Sequence, residues 1–116
     1  LSMLAYVYIF IQSALFSIVV EAGTVVAISK LLKQNTVLKL ALIAATGTVL
    51  TIPYVWFVFP TLLYSSPLLI ILCGEAFAFT LESFAYRYMG NVSWRVAILL
   101  SFVANVTSYT LGRILW

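Results

Sequence analysis

Four long apolar runs separated by short polar breaks make up this chain. The first extends from about Met3 to Leu32, the second from Val37 to Phe59, the third from Pro67 to Met89 and the fourth from Ser93 to Trp116. A hydrocarbon layer of about 30 Å is crossed by about 20 helical residues, and each run is long enough. Transmembrane strands would alternate in polarity over about ten residues. These runs are apolar on both parities, so helices are the reading. The pattern predicts an all-α fold over residues 1–116: a single integral membrane bundle of four transmembrane helices.

The breaks have local causes. Lys33-Gln34-Asn35-Thr36 is a polar turn in which Thr36 can cap the second helix. Pro67 suits a first helical turn, where its missing N–H would be unpaired anyway. Gly90 is placed to end the third helix and Ser93 to cap the fourth. Pro53 lies inside the second run and predicts a kink, with Thr51 placed to help satisfy the freed backbone.

Composition reinforces the membrane reading. Only 8% of the 116 residues are charged, against roughly 25% in a soluble domain, which must cover itself with polar side chains. Five of the six basic residues, Lys30, Lys33, Lys39, Arg87 and Arg95, flank the first and third turns, and only Arg113 lies toward the other side. Scattered in this way they make no nucleic-acid surface. By the positive-inside bias both basic turns are cytoplasmic and both termini lie on the non-cytoplasmic side. Tyr6, Tyr8, Tyr54, Trp56, Tyr64 and Trp116 fall toward that second interface, where amphipathic rings prefer to sit. The chain begins at Leu1; no positively charged segment precedes Leu4, so residues 1–20 do not read as a complete signal peptide. An outside N-terminus is nevertheless consistent with a removed leader.

An internal repeat emerges from the rarer residues. Glu21-Ala22 aligns with Glu75-Ala76, Ser29 with Ser83 and Lys33 with Arg87; after a shift of two residues, Lys39 aligns with Arg95 and Thr51 with Thr107. Both copies would share one orientation, giving two parallel two-helix repeats. The residues Glu75-Ala76, Arg87, Arg95-Val96-Ala97 and Ser101-Phe102-Val103-Ala104-Asn105-Val106-Thr107-Ser108, with Glu21-Ala22 and Pro53, Trp56 and Pro60 in the first hairpin, carry a resemblance. The chain resembles a family of small, functionally uncharacterised prokaryotic four-helix membrane proteins built from two Glu-Ala hairpins. It departs from that pattern at Thr48 and Ile52, where the family has Asn and His. The resemblance implies a fold and brings no activity.

Candidate chemistry rests on few residues. Glu21, Glu75 and Glu82 are the only acids, and all fall within predicted spans. A carboxylate at bilayer depth costs on the order of 3 kcal/mol unless it is paired, protonated or facing water. Glu21 and Glu75 each lie twelve residues from a basic helix end, about 18 Å, and Asn105 lies about 15 Å in from Arg95. The three share a depth and form the candidate intramembrane polar site. Their bland reading is hydrogen bonding between helices, worth about 0.6 kcal/mol each on average. Glu82 lies five residues before Arg87, about 7.5 Å along the axis, which suggests a structural ion pair. Cys73 sits in an apolar run and reads as a packing residue. His is absent, and phosphate loops, metal-ligand spacings and nucleophile–base sets are missing. The sequons at Asn91 and Asn105 fall on the cytoplasmic side and inside the bilayer, where neither serves.

No catalysis, cofactor or metal is called for. Two functions remain. The first is a non-catalytic accessory or structural subunit whose apolar surface packs on other membrane subunits, favoured on base rate. The alternative is an oligomeric proton or cation carrier or channel using Glu21, Glu75 and Asn105. The lipid bilayer is the one partner common to both.

Overall fold

The computed structural model describes residues 2–115. Four helices alternate in direction: α1 (Met3–Leu31), α2 (Val37–Leu62), α3 (Pro67–Tyr88) and α4 (Trp94–Leu115). All four are long and apolar enough to span a membrane, and the protein is an integral multi-pass membrane protein. Each helix packs on its neighbour in sequence, and α4 returns to pack on α1, closing a bundle of 45 × 22 × 22 Å. The α1–α2 and α3–α4 turns therefore share one end, here the hairpin side. The described chain ends and the α2–α3 turn share the other, the termini side. Trp116, expected in the aromatic girdle and at the end of α4, lies outside the described residues.

Helix ends follow local chemistry, with two departures from expectation. Ser2, Ser66 and Ser93 accept from Ala5, Leu69 and Val96 backbone amides at 3.1, 3.3 and 3.3 Å, capping α1, α3 and α4. Thr36 makes no such bond at the start of α2. The α1 terminus closes through Lys33 at φ 57°, with Lys33 N–H donating to Lys30 O and Gln34 N–H to Ser29 O, a paired arrangement that satisfies the last carbonyls. Gly90 does not supply a left-handed residue after α3; Asn91 does, at φ 55°. Gly90 serves close approach instead. A Cβ there would lie 2.6 Å from Tyr86 O and 2.8 Å from Leu40 Cδ2, so α2 passes directly against the end of α3.

The two prolines of α2 shape its second half. The helix runs on through Pro60 to Leu62, three residues beyond the expected end at Phe59. Between the prolines, Tyr54–Val58 widens into a π-helical turn. Such turns absorb a local change in register without breaking the helix. Trp56 O is the carbonyl that an N–H at Pro60 would have served in a regular α-helix. It is taken instead by the Tyr6 hydroxyl of α1, which donates to it at 2.6 Å. Thr61 donates to Phe57 O at 2.6 Å. Around this bond, Tyr6 and Phe10 pack on Trp56 and Phe57 with ring centroids 4.9–5.8 Å apart.

The two ends of the bundle differ. Toward the hairpin side, Val25, Leu40, Ile43, Ala44, Tyr86, Val92, Ala97, Leu100 and Ala104 form a closed apolar core. In lipid, the gain from such a core is close packing and not water exclusion, and the alanines let the helices approach. Toward the termini side the interior-facing residues are polar and the helices enclose space.

The Tyr6–Trp56 bond predicts that Tyr6→Phe keeps the ring packing and loses about 1 kcal/mol. Thermal unfolding in mild detergent should show a lowered midpoint. An unchanged midpoint would mean that the carbonyl finds another donor at no cost.

Candidate functional site

Regular spacing builds the polar interior. On α1, Ser13, Ser17 and Glu21 follow at intervals of four, which places them on one face, and the series continues through the buried Val25 and Ser29. Thr48 and Thr51 face them from α2, Glu75 and Ala78 from α3, and Asn105, Ser108 and Gly112 from α4. Together they line a half-open cavity of about 220 Å³. Phe16, Trp56 and Tyr109 contribute aromatic walls, and the exposed Arg113 stands at the rim on the termini side. Small hydroxyl and glycine side chains leave the space that leucines would fill.

The cavity brings Glu21, Glu75 and Asn105 together in one lining. Counted from the hairpin ends of their helices at Leu31, Tyr88 and Trp94, they stand about 15, 20 and 16 Å in. Glu21 is buried, with 5% of its surface exposed; Glu75 is half-buried.

The hydrogen bonds give this lining one chemical sense. Thr48 donates to Ala44 O at 2.9 Å and Thr51 to Gly47 O at 2.8 Å, each one turn back on its own helix. Their protons are committed, and their lone pairs remain. Asn105 donates its amide to Ser101 O at 2.8 Å and, at the longer distance of 3.4 Å, to Ser101 Oγ. Ser101 in turn donates across to Phe79 O of α3 at 2.8 Å, tying α4 to α3. With its nitrogen occupied, Asn105 has its Oδ1 left to offer. Glu21 Oε1 is buried without a hydrogen-bond partner. The deep part of the cavity thus gathers acceptors, namely two carboxyls, an amide oxygen and two threonine oxygens, beside the Ser13, Ser17 and Ser108 hydroxyls, which can donate or accept.

Glu82 belongs to this region, and the expected ion pair with Arg87 does not form. The two are five residues apart, which at about 100° per residue puts them on different faces. Arg87 turns outward, its guanidinium carbon 5.7 Å from the Tyr88 ring centroid and 5.8 Å from that of Trp94, within cation–π range. Glu82 points inward, 1% exposed. Its carboxyl adjoins that of Glu21 across the bundle, with Thr48 beside Glu21 and Asn105 beside Glu82. Glu21 and Asn105 stand close to the Glu82 carboxyl, but neither makes a well-formed hydrogen bond to its oxygens. Were both ionised, adjoining carboxylates would repel one another in a setting where water screens poorly. A proton or a cation between them removes that cost.

Sequence reasoning missed Ser13, Ser17, Thr48, Thr51 and Ser108 as lining residues. The four-residue spacing back from Glu21 was the available signal. Among the described residues, no three His, Cys, Asp or Glu side chains converge as a metal set. Comparison of the chain with protein-family models, with curated proteins and with solved structures finds no match.

Glu82 occupies space left by a glycine. A Cβ on Gly47 would stand 3.0 Å from Glu82 Cγ, whereas one on Gly23 would meet nothing within 4 Å. Gly47→Ala should therefore displace Glu82 and destabilise the protein by about 1–3 kcal/mol. Gly23→Ala should be neutral or stabilising by up to about 1 kcal/mol. Unfolding of the two variants side by side in detergent checks the contrast; equal midpoints would remove the steric argument.

Proposed function

We propose that this protein binds a proton or small monovalent cation in its membrane-embedded cavity, as the binding step of a carrier or channel. The supporting observation is that two carboxyls stand beside Asn105, Thr48 and Thr51, whose own protons go to oxygens on their own helices, so that oxygen lone pairs face the Glu21 end of the cavity. An anion would meet carboxyls and lone pairs, and a neutral apolar ligand would leave the acceptors unsatisfied, at about 1–3 kcal/mol each. A cation or proton satisfies them. Glu21 and Glu75 carry the charge, Asn105 Oδ1 and the Thr48 and Thr51 oxygens complete the shell, and Arg113 at the rim lowers the affinity enough for release. Among the described residues no three acids converge as a divalent-metal set would require, which favours a proton or monovalent ion.

The accessory-subunit role, favoured from sequence on base rate alone, needs no cavity and no unpartnered carboxyls. Apolar outer faces are what lipid itself requires and do not single out a protein partner. Binding in the cavity depends neither on the internal repeat nor on the family resemblance.

The orientation follows the basic bias, with the hairpin turns cytoplasmic and the cavity open to the other side. In a Cys73→Ala background, single cysteines at Gln34 and Ser65 should label from opposite faces of sealed vesicles. Labelling of both from the same side would reverse or break this topology.

Binding is tested with proteoliposomes adsorbed on a solid-supported membrane. Jumps in proton, Na⁺ or K⁺ concentration should produce a charge displacement in the parent protein. Glu21→Gln combined with Glu75→Gln keeps shape and removes both charges, and should abolish it. A parent protein silent to all three ions overturns the cation reading and returns the accessory role to first place.

A further inference from the structure

The half of the bundle that closes the cavity toward the hairpin side is not uniformly apolar. Besides Arg87 Nε at its edge, three side chains within it carry polar atoms that are fully buried and have no hydrogen-bond partner: Glu82 through both carboxyl oxygens, Tyr86 through its hydroxyl and Ser29 through Oγ. Tyr86 and Ser29 are 0% exposed and Glu82 1%. Native interiors rarely leave such groups unsatisfied, and each one calls for a cause such as an ordered water or an ion. Three within one apolar plug are harder to dismiss than one.

Their arrangement is a file. Glu82 and Tyr86 are four residues apart on α3, one above the other on the inward face. A helical tyrosine leans toward the N-terminus of its helix, which in α3 is toward Glu82 and the cavity. Ser29 lies on α1, two turns beyond Glu21 on the same buried face. Counted from the hairpin ends at Leu31 and Tyr88, the Ser29 and Tyr86 backbones stand at one level, about 3 Å in. Glu82 adjoins Glu21, which lines the cavity. Glu82 and Tyr86 thus continue from the cavity floor into the closed half, and Ser29 stands at the Tyr86 level on α1. A phenylalanine would fill the Tyr86 site in the apolar core equally well. The hydroxyl is what packing does not explain.

We propose that Glu82, Tyr86 and Ser29 form a proton path, within a single protomer, that continues the cavity through the closed half of the bundle to the hairpin side. This inference rests on the cation-binding reading of the cavity and names the proton as what crosses. A carboxyl, a phenol and an alcohol each accept a proton on one lone pair and release one from an O–H bond. The three groups are not hydrogen-bonded to one another, so water must bridge them: a proton leaving Glu82 reaches the Tyr86 oxygen through water, and the phenolic proton is released to water and on to Ser29 Oγ. Only O–H bonds form and break, and no oxidant or reductant takes part. The plug gives no room for a hydrated metal cation, so it passes protons selectively. The charged groups around the file are Glu21 from α1, and Glu75 and the buried Nε of Arg87 from α3. Lys39 and Arg95, at the starts of α2 and α4, are exposed.

The test uses full-length protein in liposomes holding a pH-sensitive dye, with a K⁺ gradient and valinomycin to drive proton entry. The parent should acidify the lumen above protein-free liposomes. Tyr86→Phe should cut the rate by about tenfold or more while keeping the elution profile and helicity of the parent. It should also keep the charge displacement that reports cavity binding. Ser29→Ala should slow flux in the same direction. Flux in Tyr86→Phe equal to that of the parent overturns the path, as does a parent that shows charge displacement and no flux. Loss of displacement in the parent with Tyr86-dependent flux retained overturns the cavity reading and leaves the path standing.

Discussion

Inside a membrane, a polar side chain either finds a partner within the protein or imposes a cost of several kcal/mol on the fold. In this bundle the Thr48, Thr51 and Ser83 hydroxyls and the Asn105 amide meet that demand locally, by donating to carbonyls one turn back on their own helices. Local satisfaction leaves Glu21 Oε1 and both Glu82 oxygens without a hydrogen-bond partner. The cavity, its acceptor character and the position of its floor all follow from that imbalance. Had Thr48 and Thr51 turned their protons inward, the same residues would have formed a closed hydrogen-bonded seam between helices.

Much of the architecture is legible in the sequence because its signals are long. Four runs of more than twenty residues leave little choice of element. The rise per residue places Glu21, Glu75 and Asn105 at a common depth with no knowledge of packing. What depth cannot supply is azimuth. Glu82 and Arg87 are close along the axis and point apart around it, so an ion pair inferred from axial distance fails. The same angular count, applied to Ser13, Ser17 and Glu21, marks the stripe that lines the cavity. At the helix ends, Gly90 sits where a left-handed residue is expected, yet Asn91 takes that conformation. The glycine is required by Leu40 and the Tyr86 carbonyl, a tertiary contact that a single sequence does not display.

The contrast between the two ends also has a physical origin. Alanines at positions 44, 97 and 104 let helices meet closely toward the hairpin side. Toward the termini side, contact between α1 and α2 passes through large rings, with Tyr6 and Phe10 against Trp56 and Phe57. Bulky contacts hold two helices apart as surely as small ones draw them together. The opening of the cavity is a consequence of which side chains sit at the seam, with no strained backbone needed to prop it open.

The π-helical turn between Pro53 and Pro60 carries one further implication. Along an uninterrupted helix, the faces of all residues are locked in a single phase, so a choice made at Thr48 dictates what points inward at Trp56. An extra residue in one turn breaks that lock. The inner half of α2 is phased by the polar lining, the outer half by the aromatic contacts with α1, and neither has to compromise for the other. One helix thereby behaves as two independently indexed segments, and each can change its side chains without rotating its counterpart out of place.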